Sequence, residues 1–115
     1  MSDPVQTNPD LYRVLFENER VRVLEYVDHP GDATTPHSHP DSVMVTLSSF
    51  RRRLSSPERE VEVELPAYQA RWLDAQEHWG TNIGDSDTHT IFVELKEADP
   101  GHGSQSVDSA TLGPR

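Results

Sequence analysis

Hydrophobic and polar residues alternate over several short stretches of this chain, with the period of two that is typical of β-strands. Pro, Gly, Asp and Ser separate these stretches, and no segment has the pattern of a long helix. Six strands are predicted, at residues 20–27, 43–47, 50–54, 60–65, 69–73 and 88–95. The pattern alone therefore indicates an all-β sandwich or barrel, with at most a short helical turn near residues 8–14.

The alternation also predicts where the charges of two strands lie. Residues 60–65 alternate strictly, so that Glu60, Glu62 and Glu64 share one face, which we expect to be solvated. The arginine run 51–53 is expected to lie on a solvated strand edge and to pair with the many acidic residues.

Composition divides the chain into three parts. Residues 1–10 are polar and carry two prolines, which is typical of a flexible arm. Residues 98–115 contain three Gly, two Pro and three Ser, and we expect them to be a disordered tail. The predicted folding unit is a single β-domain over residues 11–97.

Charge and residue usage exclude several classes of function. Acidic residues outnumber basic ones by 20 to 10, giving a formal net charge of −10 that disfavours nucleic-acid partners. The chain has no Cys, and hence no disulfide, thiolate metal site or Cys nucleophile. It contains no phosphate-binding glycine loop and no nucleophile elbow. With no apolar run near 18 residues and no signal peptide, we expect a cytoplasmic protein without a membrane partner.

The histidines carry the most informative pattern. His37 and His39 are two residues apart, so on a strand their side chains point to the same face, about 7 Å apart along the chain. Two such imidazoles can converge on one metal ion, and His78 is the best-placed third nitrogen ligand. The alternative is a hydrogen-bonding pair at the surface or in the core. His29 and His102 are expected to be solvated.

Three spacings around these histidines resemble the two motifs of the cupin superfamily. Gly31 precedes His37 by six residues, and His78 is followed by Asn82 and then Gly84. The resemblance covers residues 13–97 and implies a small single-domain cupin with a jelly-roll, or double-stranded β-helix, barrel that is usually a homodimer. It also implies one divalent transition metal (Fe, Ni, Zn, Mn or Cu) inside the barrel mouth, bound by the same three histidines.

The chain departs from the cupin pattern at several positions. The first motif normally supplies a Glu ligand four or five residues after its second His, where this chain has Val43 and Met44. The Gly that closes this motif is also absent, and Leu73 and Ala75 stand where the second motif has Pro and Gly. The resemblance therefore implies a three-histidine site without the carboxylate ligand.

Four further residues are candidates for the site. Asp41 and Gln76 could supply additional metal ligands, with a loop cap as the alternative for Asp41. Glu77 is a candidate general base, although a solvated loop carboxylate is the simpler interpretation. His89 is in phase with Ile91, Val93 and Leu95; if that face points inward, His89 could shuttle protons, and otherwise it is partly exposed or hydrogen-bonded.

Two classes of function follow from this pattern. The first is a metalloenzyme in which three neutral imidazoles leave the metal charge uncompensated, favouring a small, chelating, oxygen-rich anion as substrate. Within that class, an iron dioxygenase is favoured slightly over Lewis-acid isomerase or cyclase chemistry. The second is a non-catalytic cupin module that binds or senses a small molecule. A purely structural role for the histidines is the third interpretation.

Overall fold

A computed structural model describes residues 3–96, which form two antiparallel β-sheets and one helical turn. The helical turn is α1 (Pro4–Thr7). The strands are β1 (Tyr12–Glu17), β2 (Val21–Asp28), β3 (His37–His39), β4 (Ser42–Thr46), β5 (Phe50–Ser55), β6 (Glu60–Leu65), β7 (Ala70–Leu73), β8 (Gln76–Asn82) and β9 (Thr88–Leu95). The all-β prediction is confirmed.

The strand order places the last strand in the middle of the larger sheet. That sheet has the order β1-β2-β9-β4-β7, and the smaller one has the order β3-β8-β5-β6. Strands β2 and β9 pair over their whole lengths, from Val21 opposite Leu95 to Asp28 opposite Thr88. The six predicted strands are all present, and each of their ends lies within one residue of its predicted position.

Two parts of the local prediction are wrong. The helical turn lies at Pro4–Thr7, where Asp3 caps it and Pro4 occupies the first turn, and not at residues 8–14. Tyr12–Glu17 is a strand that pairs with β2, with a bulge between Val14 and Phe16. The domain boundaries stay a prediction, and the predicted tail lies outside the described residues.

The two faces of the central strands differ from what hydrophobicity suggests. The inward face of β2 carries Leu24, Tyr26 and Asp28, all of them buried. In β9 the buried positions are Thr88, Thr90, Phe92 and Glu94. The more apolar stripe, which includes Val93, faces outward. The interior therefore combines an apolar cluster with charged and hydroxyl groups; its hydrophobic members are Tyr12, Leu24, Tyr26, Met44, Phe50, Leu65 and Phe92.

The outer face of the larger sheet has a continuous apolar surface. Val23 and Val43 both lie opposite Val93, and Val43 also lies opposite Trp72. At the margins Phe16 and Trp72 are 54% and 53% exposed. Charged residues thus do not dominate this side of the larger sheet, although the chain as a whole is strongly acidic.

The smaller sheet has the solvated carboxylate face that the sequence predicts. Glu60, Glu62 and Glu64 on β6 are exposed, and the residues between them face the barrel interior. No helix within residues 3–96 is long and apolar enough to cross a membrane.

Candidate metal centre

The pairing of β3 with β8 brings the three histidines into one cluster. His37 and His78 are directly opposite each other in this ladder, and His39 lies two residues along β3 on the same face. The ring centroids are 4.7 Å (His37–His78), 4.9 Å (His37–His39) and 5.0 Å (His39–His78) apart. His78 is the third residue of strand β8.

The ring nitrogens are close enough to share a metal ion. One nitrogen of each ring lies within 4.8 Å of the others. Nitrogens bound to the same ion at about 2.0–2.1 Å are about 3 to 4 Å apart, so a small inward movement of the side chains suffices. His37 and His39 are 1% and 4% exposed, and His78 is partly buried. Three imidazoles with this spacing fit a divalent transition metal.

Hydrogen bonds on the far side of two rings orient their ligating nitrogens. His37 Nδ1 lies 2.7 Å from the Thr35 carbonyl oxygen, and His39 Nδ1 lies 2.7 Å from Glu94 Oε2. Both acceptors require a proton on Nδ1, which leaves the Nε2 lone pair of each ring free. Such outer partners fix the tautomer and increase the basicity of a histidine ligand.

A tyrosine lies next to both free nitrogens. The Tyr12 hydroxyl is 3.2 Å from His37 Nε2 and 3.3 Å from His39 Nε2, so its proton can be donated to either ring. Burial raises the pKa of Tyr12 well above its ordinary value, which keeps the phenol protonated. The sequence analysis missed this residue, because β1 has no clear alternation to show which side chains face inward.

His37 and His78 are neutral at physiological pH. Burial lowers the pKa of His37 to about 4 and that of His78 to about 3. The neutral imidazole is the form that binds a metal, so no proton has to be displaced from these two rings at pH 7.

The histidine cluster opens onto a cavity of about 300 Å³ inside the barrel. Its wall is predominantly apolar and includes Met44, Phe50, Leu65, Trp79 and Phe92, together with His37 and His78. A volume of this size is at the lower end of what small-molecule sites enclose. The cavity therefore suits a compact molecule with a substantial apolar part.

A buried ion pair lies at another part of the cavity wall. Arg52 Nη1 is 2.6 Å from Asp28 Oδ2, and the two side chains are 8% and 0% exposed. Arg52 also donates to the Thr88 and Tyr26 hydroxyls. The expectation that the whole arginine run 51–53 is solvated is therefore wrong for its middle member. Arg52 is in phase with Phe50 and faces inward, while its two neighbours pair with acids on β6.

Glycine at residue 80 lets the backbone of β8 approach Arg52 closely. A Cβ at Gly80 would lie 3.2 Å from Arg52 Nη2 and 3.1 Å from the Arg53 carbonyl oxygen. One buried hydroxyl in the same wall, that of Thr90, has no hydrogen-bond partner among residues 3–96.

The other candidate residues are distributed around this centre. Gln76 lies at the cavity rim and is exposed, whereas Asp41 caps a loop by accepting a hydrogen bond from the Ala75 amide at 2.9 Å. Glu77 is exposed and does not line the cavity. His89 Nε2 is 2.7 Å from Glu25 Oε2 on the outer face of the larger sheet.

The second motif has a structural role at its far end. Asn82 donates to the Ser86 carbonyl oxygen at 2.8 Å and accepts from the Gly84 amide at 3.0 Å, which holds the loop after β8 in place. It also donates to Asp28 at 3.1 Å, and thereby connects this loop to the buried ion pair. In the first motif, Gly31 has a φ of +92°, a value that side chains rarely allow.

Comparisons with known proteins agree with the motifs. No protein-family model matches the chain, and no curated protein does. Among solved structures, a cupin domain from Bordetella pertussis is 29% identical, with a TM-score of 0.71 over 76% of this chain and 93% of that one. A double-stranded β-helix domain from Klebsiella pneumoniae is 19% identical (TM-score 0.59), covering 76% of this chain and 84% of that chain.

A structure of known activity has the same fold. The polyketide cyclase RemF from Streptomyces resistomycificus is 19% identical, with a TM-score of 0.58 over 77% of this chain and 66% of that chain. Fold, histidine spacing and these similarities agree, and the described chain is a small cupin domain.

Proposed function

We propose that this cupin binds a divalent transition metal through His37, His39 and His78 and uses it to transform a small organic molecule with two adjacent oxygen donors. The observation that carries the proposal is the orientation of the rings: the Nδ1 atoms of His37 and His39 are held by outer acceptors, and His37 and His78 line a predominantly apolar, partly open cavity. Sites that bind and activate a small substrate have this combination of a few converging polar groups and apolar walls.

Charge supports an anionic substrate group. The metal-holding cluster consists of histidines alone among the described residues, and the nearest acid, Glu94, is already bonded to His39 Nδ1. A bound divalent ion supplies Lewis-acid chemistry and keeps most of its positive charge. A carboxylate or the enolate of a 1,3-dicarbonyl would compensate this charge through two oxygens.

The cavity wall supports a substrate with an apolar body. Phe50, Leu65 and Phe92 provide apolar contacts. Arg52 contributes little net charge, because Asp28 neutralises it at 2.6 Å. The apolar part of the substrate would therefore be recognised by shape, and the oxygen pair by the metal.

The protein groups around the cavity favour an oxygenase over an acid–base catalyst. The candidate bases Glu77 and His89 do not line the cavity. The phenols of Tyr12 and Tyr26 do, but burial raises the pKa of both above its ordinary value, so neither is a good base near pH 7. Oxygenase chemistry depends less on such a base than an isomerisation does. Cyclase chemistry is the second candidate, and its support is the similarity to the polyketide cyclase.

The first experiment is a metal analysis followed by an oxygen-uptake assay. Protein purified without chelators should contain close to one transition metal per chain, and His78→Ala should lose it. His29→Ala is the matched control, because His29 is exposed and lies outside the cluster. The protein reconstituted with Fe(II) should then consume oxygen in the presence of a panel of 1,3-dicarbonyl and catechol-type compounds.

The outcomes separate the candidate functions. Conversion of a panel compound without oxygen consumption, with Zn(II) or Ni(II), would favour the Lewis-acid alternative. Saturable binding without any turnover would identify a sensing or storage cupin. A histidine cluster that takes up no metal at millimolar Fe(II), Ni(II) or Zn(II) would refute all three.

We also propose that the apolar outer face of the larger sheet pairs with a second copy of the chain. Val23, Val43 and Val93 form the centre of this face, and the half-exposed Phe16 and Trp72 lie at its margins. A contiguous apolar surface of this kind is typical of a protein–protein contact.

A further inference from the structure

The first residues of the described chain lie against the metal centre. Residues 3–8, hereafter the N-terminal segment, comprise the helical turn Pro4–Thr7 and the residue that flanks it on each side. Pro4 and Asn8 are both buried, although the composition of residues 1–10 predicts a flexible arm. The two flanking residues, Asp3 and Asn8, are the ones that connect to the histidines.

Asp3 begins a chain of charged groups that ends at His39. Its two carboxylate oxygens accept from Arg22 Nη1 and Nη2 at 3.0 and 2.9 Å. Arg22 Nε donates to Glu94 Oε1 at 2.9 Å, and Glu94 Oε2 is the acceptor for His39 Nδ1 at 2.7 Å. Arg22 is thus fixed between two carboxylates, and Glu94, 2% exposed, has little freedom to turn away from the imidazole.

Asn8 acts on His37 through the backbone of Thr35. Its Oδ1 accepts from the Thr35 amide at 2.9 Å, and its Nδ2 lies 3.5 Å from the Thr35 carbonyl oxygen. That carbonyl is the acceptor for His37 Nδ1 at 2.7 Å. The side-chain amide of Asn8 therefore holds the residue whose carbonyl oxygen orients His37.

The helical turn makes these two contacts into one unit. Asp3 Oδ1 caps the turn by accepting from the Val5 amide at 3.1 Å, and the Asn8 amide ends it by donating to the Pro4 carbonyl oxygen at 2.8 Å. The distance between Asp3 and Asn8 is thereby set by one turn of helix. The contacts of Asp3 lead to His39 and those of Asn8 lead to His37. Displacement of the segment would therefore remove the support of both histidines together.

We propose that the N-terminal segment is a positioning element of the metal centre, and that its docking and metal binding strengthen each other. This inference rests on the proposed metal function. Groups that orient a histidine ligand through its outer nitrogen change metal affinity about 10- to 100-fold when they are removed. Thermodynamic linkage requires that metal binding stabilise the docked segment by the same factor.

The first test is the affinity of the full chain for Co(II), measured by competition with a chelator. We expect Asp3→Asn and Asn8→Ala each to weaken Co(II) binding about tenfold or more. The matched controls are Asp10→Asn, which removes the same charge from an exposed nearby position, and Gln6→Ala on the exposed side of the turn. Both controls should bind Co(II) within twofold of the unaltered protein. The Co(II) d–d spectrum should also change in the two site variants and stay unchanged in the controls.

The second test needs no variant. Amide hydrogen exchange at residues 6–8, whose amides close the helical turn, should slow when Zn(II) is added to the unaltered chain. A purely structural role would lower the melting temperature of the metal-free variants, but would leave the Co(II) affinity and the effect of Zn(II) on exchange unchanged. That result would overturn the inference. If the unaltered protein bound neither ion, the proposed function itself would fail, so the two failures are distinguishable.

Discussion

The buried Arg52–Asp28 pair allows a quantitative prediction. Arg52→Met keeps the length of the side chain and removes its charge, leaving the fully buried Asp28 carboxylate without its cation. Breaking a buried pair in this way costs about 3 to 5 kcal/mol. The Tyr26 hydroxyl and the Asn82 amide still donate to Asp28, so we expect a value near the lower limit. For a domain of this size, 3 kcal/mol corresponds to a decrease of about 12 °C or more in melting temperature.

Urea unfolding, monitored by tryptophan fluorescence, measures this change in the free energy of unfolding. The neighbouring Arg51 supplies the control. Arg51 is half exposed and its pair with Glu62 is loose, at 3.8 Å, so Arg51→Met should cost less than about 1 kcal/mol. Combining Arg52→Met with Asp28→Asn should cost about 2 kcal/mol less than the sum of the two single variants, since both changes remove the same interaction. If Arg52→Met were as stable as Arg51→Met, the ion pair would contribute nothing and the reasoning would be refuted.

Four further predictions address other parts of the molecule. At a free concentration of 100 times its dissociation constant, a metal ion stabilises the fold by about 2.7 kcal/mol. Excess EDTA should therefore lower the melting temperature of the metal-loaded protein by about 10 °C and should leave the melting temperature of His78→Ala unchanged. His89→Gln should leave metal content and turnover unchanged, because this residue lies on the outer face, and a loss of either would place it in the site. Trp72→Lys should convert a dimer into a monomer in size-exclusion chromatography with light scattering. The Arg22 hydrogen bond lowers the pKa of Asp3, so the contribution of this bond to stability is present above about pH 4 and is lost as the pH falls through the lowered value. Urea titrations of Asp3→Asn should therefore show a weaker decline below about pH 4 than those of the unaltered protein.

The strands that the sequence predicts are those in which side-chain alternation is clear. Glu60–Leu65 and Thr88–Leu95 are predicted with their observed bounds, because the first alternates strictly and the second is rich in β-branched and aromatic residues. Tyr12–Glu17 has three consecutive apolar residues across a bulge, which hides its period. Gln76–Asn82 is a strand whose inward face carries His78, Gly80 and Asn82, so hydrophobicity could not reveal it.

Which face of a strand points inward was harder to predict than the strand itself. In β9 the apolar stripe of Ile91 and Val93 lies outside, and the stripe with Thr90 and Glu94 lies inside. A barrel that encloses a polar site buries charged groups in pairs, while an outer face that meets a partner can be apolar. A better signal is a spacing of two residues from a side chain that is known to face inward. Arg52 has this spacing from Phe50, and Glu94 has it from Phe92.

The change at the first motif explains how the site can lack a carboxylate ligand and remain ordered. Met44, one of the two residues where the motif has its Glu, is buried in the cavity wall opposite Phe92, whose ring stacks on His39 at 4.9 Å. An acid is still present, but Glu94 contacts the outer nitrogen of His39 and not the side that faces the cluster. The negative charge therefore acts through an imidazole, where it strengthens a ligand without occupying a coordination position. A metal held in this way keeps both its charge and its open positions for the substrate, which is why we expect a chelating anion to bind more tightly here than a neutral molecule of the same shape.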